Sequence, residues 1–282
     1  MPQSIIDFLH NGTEANKTDA FRKGNLICLP REGSLVVTGD IHGHRRNFEK
    51  ITAFADLTNN LDRHVVLQEI IHGGPENSEG GCLSYELLFD AVRYKLSFPD
   101  RVHIIMGNHD AAFISNSRVM KNGKEMTRSM QSALDKQFQQ SSADVKMAIK
   151  QFLFSQPLAV RCDNRIWMSH SLPDDRFVDK FDLHILEKQL KVEDCRRPGP
   201  AHLLIWGRKH SQPLLDKMAS FFDVDIFILG HQPQQTGWKQ TGQNLIIIAS
   251  DHSHGCLLPI DLAKSYTIER LIDSIVPLAS LY

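Results

Sequence analysis

Three times in the first 110 residues an apolar run breaks into glycines and side chains able to bind a metal. This recurrence constrains the fold more than any other feature of the chain. The first run is Val36-Val37-Thr38-Gly39-Asp40-Ile41-His42-Gly43-His44. The second is His64-Val65-Val66-Leu67-Gln68-Glu69-Ile70-Ile71-His72-Gly73-Gly74, and the third is Arg101-Val102-His103-Ile104-Ile105-Met106, ending in Gly107-Asn108-His109-Asp110. Each has the length and composition of a strand, and the glycines let the backbone turn sharply where it ends. Helical patterns follow the first two runs. Residues 44–57 place Phe48, Ile51, Phe54 and Ala55 on one face, and residues 83–96 run through Leu87, Leu88, Ala91 and Val92. The alternation predicts βα units and an α/β fold. Its polar residues would gather at the strands' C-terminal edge, where open α/β sheets bind ligands.

The remaining chain continues the theme. Residues 4–10 have the pattern of a short amphipathic helix stopped by Asn11-Gly12, and residues 13–25 that of a polar surface segment. Residues 111–156 show no strand pattern and predict two or three helices over the sheet edge, near the site. Residues 159–162 and 165–168 form a hairpin pattern turning at Asp163-Asn164, and the second arm ends in Ser169-His170-Ser171. A helix is expected over 181–190 and a proline-rich loop over 195–200. Strand 226–229 ends in Gly230-His231-Gln232-Pro233, and strand 245–249 leads to Ser250-Asp251-His252-Ser253-His254-Gly255. Residues 257–262 and 265–271 are expected as closing strands. No repeat, low-complexity tract or linker divides the chain, so residues 1–282 are expected to form a single domain.

Composition narrows the function. A formal net charge of −1 argues against a broad nucleic-acid surface. The N-terminal stretch lacks a signal-peptide h-region, and no run of about 18 apolar residues exists to span a membrane. Five dispersed cysteines without a C-x-x-C pair suggest reduced thiols and a cytoplasmic protein.

The strand ends together supply Asp40, His42, Glu69, Asn108, His109, His170 and His231. Mixed oxygen and nitrogen donors without thiolate suit Mn, Fe, Zn or Ni. Seven donors exceed the needs of one ion, which favours two divalent cations about 3.5–4 Å apart, an arrangement suited to phosphoryl transfer.

The ordered set Gly-Asp-Ile-His-Gly (39–43), Gly-Asn-His-Asp (107–110), Ser-His (169–170) and Gly-His-Gln (230–232) resembles the calcineurin-like metallophosphoesterase superfamily. Within it, the chain most resembles the phosphoprotein phosphatase branch and its bacterial relatives, over about residues 35–260. The resemblance implies a two-sheet αββα sandwich with the metal site at the strand ends. It also implies that Asp40 and His42 bind one metal and that Asn108, His170 and His231 bind the other. His109 becomes the general acid. Arg208, in Leu-Leu-Ile-Trp-Gly-Arg, becomes a phosphate contact, with Arg45 and Arg46 as further candidates.

The second motif departs from the family's Gly-Asp-x-x-Asp-Arg-Gly. Glu69 falls at the metal-bridging position, His72 where the acidic residue that orients the general acid should stand, and Gly73 where a phosphate-binding arginine should stand. Asp110 is the adjacent candidate to hold His109. His252, in Asp251-His252-Ser253-His254, is a candidate to complete the first metal, the alternatives being a substrate contact or a plain loop residue. The expected activity is metal-dependent hydrolysis of a phosphate monoester on a protein or small molecule, with Mn the leading metal. The rivals are a dinucleoside polyphosphate or nucleotide hydrolase, and a non-catalytic metal-binding scaffold. Substrate identity and oligomeric state are left open.

Overall fold

The computed structural model describes residues 2–121 and 123–282. Successive side chains of strand Ser34–Asp40 point to opposite sides, as the pleat requires. Leu35 and Val37 enter one apolar cluster and Val36 another. The first cluster lies between two sheets, where Val66 and Ile105 meet Ile27, Val160, Met168, Ile228 and Ile246. The second covers the outer faces, where Val65 and Ile104 on one sheet and Trp167 and Phe227 on the other meet the helices. The result is the expected αββα sandwich.

One sheet has the order Val276–Pro277, Cys256–Asp261, Ser34–Asp40, Arg63–Gln68, Val102–Ile105. Its last three strands are parallel, joined through helices Arg45–Ala55 and Ser84–Ser97. The other has seven strands and contains Ile166–Ser169, Ile226–Leu229 and Leu245–Ile248 as parallel neighbours. The sheets meet at the C-terminal ends of Ser34–Asp40 and Leu245–Ile248. Asp40 pairs with Ala249 as an isolated parallel bridge, and the Ser250 N–H donates to the Asp40 carbonyl at 3.0 Å. That junction brings the C-terminal ends of both parallel sets together.

Several local expectations are corrected. The N-terminal helix runs through Gly12, from Pro2 to Lys17. A Cβ at Gly12 would lie 2.7 Å from Val92 and 3.2 Å from Phe152. The glycine permits close helix packing there and does not stop the helix. Residues 181–190 do not form an α-helix. Only short 3₁₀ turns occur, at Val178–Lys180 and Leu183–Leu186. The carbonyls of Ile185 and Lys188 are taken by the Asn25 side chain, and that of Leu186 by the Asn25 backbone N–H. These tertiary bonds displace the helical ladder.

The expected strand over 265–271 is a helix, Ile268–Ile272, whose first turn is capped by Thr267. Its place beside Cys256–Asp261 is taken by Val276–Pro277. Residues 111–156 contain helices Asn108–Ser115, Met126–Phe138 and Ser142–Phe154, but also a two-residue strand pair, Met120–Lys121 with Lys124–Glu125. Helix Gln212–Phe222 and strands Leu26–Leu29 and Trp238–Thr241 were not legible in the sequence pattern. Among the described residues, no helix is long and apolar enough to cross a membrane.

Candidate metal centre

Each candidate donor sits where a strand gives way to a turn. Asp40 closes Ser34–Asp40, Glu69 follows Arg63–Gln68, and Asn108 and His109 open the helix after Val102–Ile105. His170 follows Ile166–Ser169, and His231 lies two residues beyond Ile226–Leu229. All are buried, with Glu69 and His170 at 0% exposure. His42, Glu69, His72 and His231 have φ values of 45°, 49°, 66° and 66°. Non-glycine residues adopt this left-handed region at a cost, and such strain concentrates at functional sites.

Asp40, Glu69 and His170 each offer one ligand atom within 4.8 Å of the others. His170 Nε2 lies 3.1 Å from Glu69 Oε2 and 2.8 Å from Asn108 Oδ1. His231 Nδ1 reaches the same Asn108 oxygen at 2.9 Å. His42 Nε2 stands 3.5 Å from Asp40 Oδ2. The structure therefore brings together Asp40, His42, Glu69, Asn108, His170 and His231.

The protons show what this arrangement suits. Gln68 Nε2 donates to the Thr38 carbonyl at 2.8 Å, which turns Gln68 Oε1 toward His170 Nδ1 at 3.0 Å. His170 Nδ1 must then carry a proton, and in the neutral ring Nε2 is a lone pair. That lone pair faces two oxygens that only accept, so a proton or a cation must sit among the three. Burial disfavours the imidazolium, but the charges of Asp40 and Glu69 outweigh it and raise the His170 pKa. A divalent cation satisfies the same three atoms in place of that proton. His42 follows the same logic, because its Nδ1 donates to the Ile71 carbonyl at 3.0 Å and leaves Nε2 as the lone pair facing Asp40. Glu69 Oε1 and His231 Nε2 are buried without a hydrogen-bond partner. Burial pushes the Asp40 carboxyl up, yet His170, His42 and the His231 N–H hold it well below the usual carboxylate range. The residues fit divalent cations.

Residues 33–235 match the family described as calcineurin-like phosphoesterase. The chain belongs to that family. A protein serine/threonine phosphatase from Saccharomyces cerevisiae, with similarity to human phosphatase PP5, superposes with a TM-score of 0.70 at 12% identity, covering 92% of this chain and 82% of its own. A cold-active protein-tyrosine phosphatase of a psychrophilic Shewanella species gives 0.60 at 15% identity, covering 84% and 77%. At these identities the likeness is one of fold. No curated protein matches the sequence.

As a calcineurin-like phosphoesterase the chain is unusual at its second motif, and the structure shows how the change is accommodated. Glu69 reaches the centre because Gly107 has no side chain; a Cβ there would lie 2.5 Å from Glu69 Oε2. Gly230 plays the same part for Asp40 Oδ1, at 2.3 Å. His72 occupies the orienting place, with its Nδ1 3.0 Å from His109 Nδ1. Gly73 has no room for any side chain, since a Cβ would meet the His42 carbonyl oxygen at 2.3 Å.

Four expected site residues are placed otherwise. Asp110 does not hold His109. It caps its own helix by accepting from the Gly107 N–H at 3.0 Å, and burial with the Glu69 charge pushes its pKa well up. Arg45 turns to Asp90 on the outer helix. Arg46 lines a surface cavity with Lys50, Ala279 and Tyr282. His252 is no ligand in this arrangement, because its Nε2 donates to the Gln234 carbonyl at 2.9 Å and its Nδ1 accepts from the His254 N–H at 3.1 Å. Arg208 is exposed, with its backbone N–H donating to Asp174 Oδ1 at 2.7 Å. Its charge acts on His231, whose pKa is held well below the usual value by burial first and then by His170 and Arg208.

Sequence reasoning missed Gln68, which sets the His170 tautomer. The available signal was an amide ending an apolar strand immediately before the bridging carboxylate. It also missed Asn47, whose side chain pins the carbonyls of Ser250 and His252 at 2.7 and 2.9 Å.

Proposed function

We propose that the protein is a metal-dependent phosphatase that hydrolyses phosphate monoesters, with manganese as the leading cation. The observation that carries this reading is the convergence of His170 Nε2, Glu69 Oε2 and Asn108 Oδ1, a ring nitrogen and two acceptor oxygens gathered around one point. Asp40 and His42 would hold one cation, Asn108, His170 and His231 the other, and Glu69 would reach both. Such ions, when bound, polarise the phosphoryl oxygens and activate water for in-line attack.

The chain's own contribution is proton placement. His72 Nε2 is buried without a partner, so the His72 proton belongs on Nδ1, where it is hydrogen-bonded. His72 Nδ1–H then donates to His109 Nδ1, and the His109 proton lies on Nε2. A neutral His109 is thereby held ready to donate to the leaving oxygen. An acidic partner would instead accept from Nδ1 and stabilise the imidazolium. Burial pushes His72 down to about 3, and it holds His109 well below its usual value, with His42, His72 and Lys121 adding to the effect. A neutral donor favours leaving groups that depart with little proton transfer, such as aryl phosphates and phosphoanhydrides. This relation keeps a second reading in play, hydrolysis of a nucleotide or dinucleoside polyphosphate. Both serine/threonine and tyrosine phosphatases stand among the structural neighbours, so the fold does not choose the phosphorylated residue. Five free cysteines support a cytoplasmic location.

The deciding experiment is p-nitrophenyl phosphate hydrolysis after metal removal and Mn²⁺ addition, with Asp40→Asn alongside. The reading expects a Mn²⁺-restored rate that the variant lacks. No rate with Mn²⁺, Fe²⁺, Zn²⁺ or Ni²⁺ would favour the scaffold instead. Product analysis on diadenosine tetraphosphate against a phosphopeptide separates the two enzymatic readings.

A further inference from the structure

Gly73 stands where the sequence resemblance places a phosphate-binding arginine, and it has no room for a side chain. A phosphoryl group carries charge on three non-bridging oxygens through its transition state and needs cations around them. The charge of Arg208 acts on His231. His42 and Gly73 line a cavity of about 380 Å³ together with Gly74, Glu76, Lys121, Lys124, Met126 and Asp251. A metal-ligand candidate, two ammonium groups and two carboxylates thus share one concave surface, and Glu76 is taken by Lys124.

The two lysines differ in how they are held. Lys121 and Lys124 face each other across the strand pair Met120–Lys121 and Lys124–Glu125. Lys124 is committed. Its Nζ lies 2.7 Å from Glu76 Oε1 and also donates to the Gly80 carbonyl. Lys121 Nζ lies 3.5 Å from Asp251 Oδ2, within ion-pair range but too long for a strong hydrogen bond. Its side chain is 28% exposed, and its charge acts on both His72 and His109. It is thus a positive group on the cavity that His42 and Gly73 line, loosely steered by one carboxylate.

We propose that Lys121 binds the substrate's phosphoryl oxygens in place of the side chain that Gly73 cannot carry, with Asp251 steering its ammonium. The inference rests on the phosphatase reading. The strand pair between helices Asn108–Ser115 and Met126–Phe138 then supplies a substrate contact that the second motif has lost. An ammonium on a flexible stem acts as a point charge, so the geometric demand is looser than for a forked guanidinium.

The test combines calorimetric titration of the Mn²⁺-loaded protein with inorganic phosphate and steady-state kinetics on p-nitrophenyl phosphate. Four proteins are compared: wild type, Lys121→Ala, Lys121→Arg and Lys124→Ala. Loss of a charge-assisted contact predicts phosphate binding weakened, and KM raised, about tenfold in Lys121→Ala. Lys121→Arg should keep most of the affinity, and Lys124→Ala should match wild type. Bound Mn²⁺ and melting temperature should be equal in all four. Phosphate affinity and KM within about twofold of wild type in Lys121→Ala would overturn the inference, as would an equal loss in Lys124→Ala. A wild type that binds phosphate but turns over no phosphoester would overturn the phosphatase reading, while the titration would still judge Lys121.

Discussion

His72 Nδ1 lies 3.0 Å from His109 Nδ1, so the residue that orients the candidate general acid is itself an imidazole. With the tautomers proposed above, His72 donates to His109, the reverse of what a carboxylate would impose. His72→Asp should restore an acceptor and favour the imidazolium. The expected outcome is a gain of about tenfold for alkyl phosphates relative to p-nitrophenyl phosphate, since only the former need full protonation of the leaving oxygen. The ratio of kcat/KM values for the two substrates checks it, and an unchanged ratio would show that the partner's polarity is immaterial.

Gln68 is the support for His170. Its Oε1 accepts from His170 Nδ1 at 3.0 Å, with Asp40 Oδ1 farther off at 3.5 Å. Gln68→Leu keeps the volume but removes the acceptor. Loss of such a partner typically weakens metal binding about 10–100-fold. Titration of the metal-free protein with Mn²⁺ measures the change directly, without reference to turnover.

Away from the site, Lys95 Nζ and His103 Nδ1 both donate to Asp19 Oδ2, at 2.7 and 3.0 Å, in a fully buried cluster. Lys95→Met removes one member and strands part of the Asp19 charge. Breaking a buried pair in this way costs about 3–5 kcal/mol. A denaturant midpoint close to wild type would mean that His103 and the Phe21 N–H satisfy Asp19 without Lys95.

Acid should destabilise the protein through His64 beside that cluster. Burial, with the neighbouring His103 ring, pushes His64 from 6.5 down to about 3. The folded value lies below the unfolded one, so the unfolded chain takes up the proton first as pH falls. Stability present at pH 7 is therefore lost from about pH 6.5 downward, on the order of 2–3 kcal/mol by pH 4. Urea midpoints at several pH values, for wild type and His64→Gln, should converge in acid. Parallel curves would refute the assignment.

The strand ends could be read in the sequence because their signals are local. A β-branched run followed by glycine and a donor needs no partner to be recognised, and the three runs at Asp40, Glu69 and Asn108 are all found at strand ends. The same holds for His170 and His231. Hairpin 159–169 and strand Ile226–Leu229 were legible for the same reason. Helix boundaries were less so where tertiary contacts overrode local preference, as Gly12 and the segment bonded to Asn25 show.

The sequence by itself determined the α/β class, which depends on periodicity, and it named the candidate donors, which depend on residue type at strand ends. Only the tertiary structure decided which donors converge and how each is held. His252 and Asp110 carry suitable chemistry, but their hydrogen bonds are spent on the Gln234 carbonyl and the Gly107 N–H. Arg45 belongs to Asp90. Gln68, His72 and Lys121 meet His170, His109 and Asp251 only when residues distant in the chain are packed together. A side chain's chemistry is written in the sequence, but its lone pairs, protons and charge are allotted by the neighbours that folding brings to it.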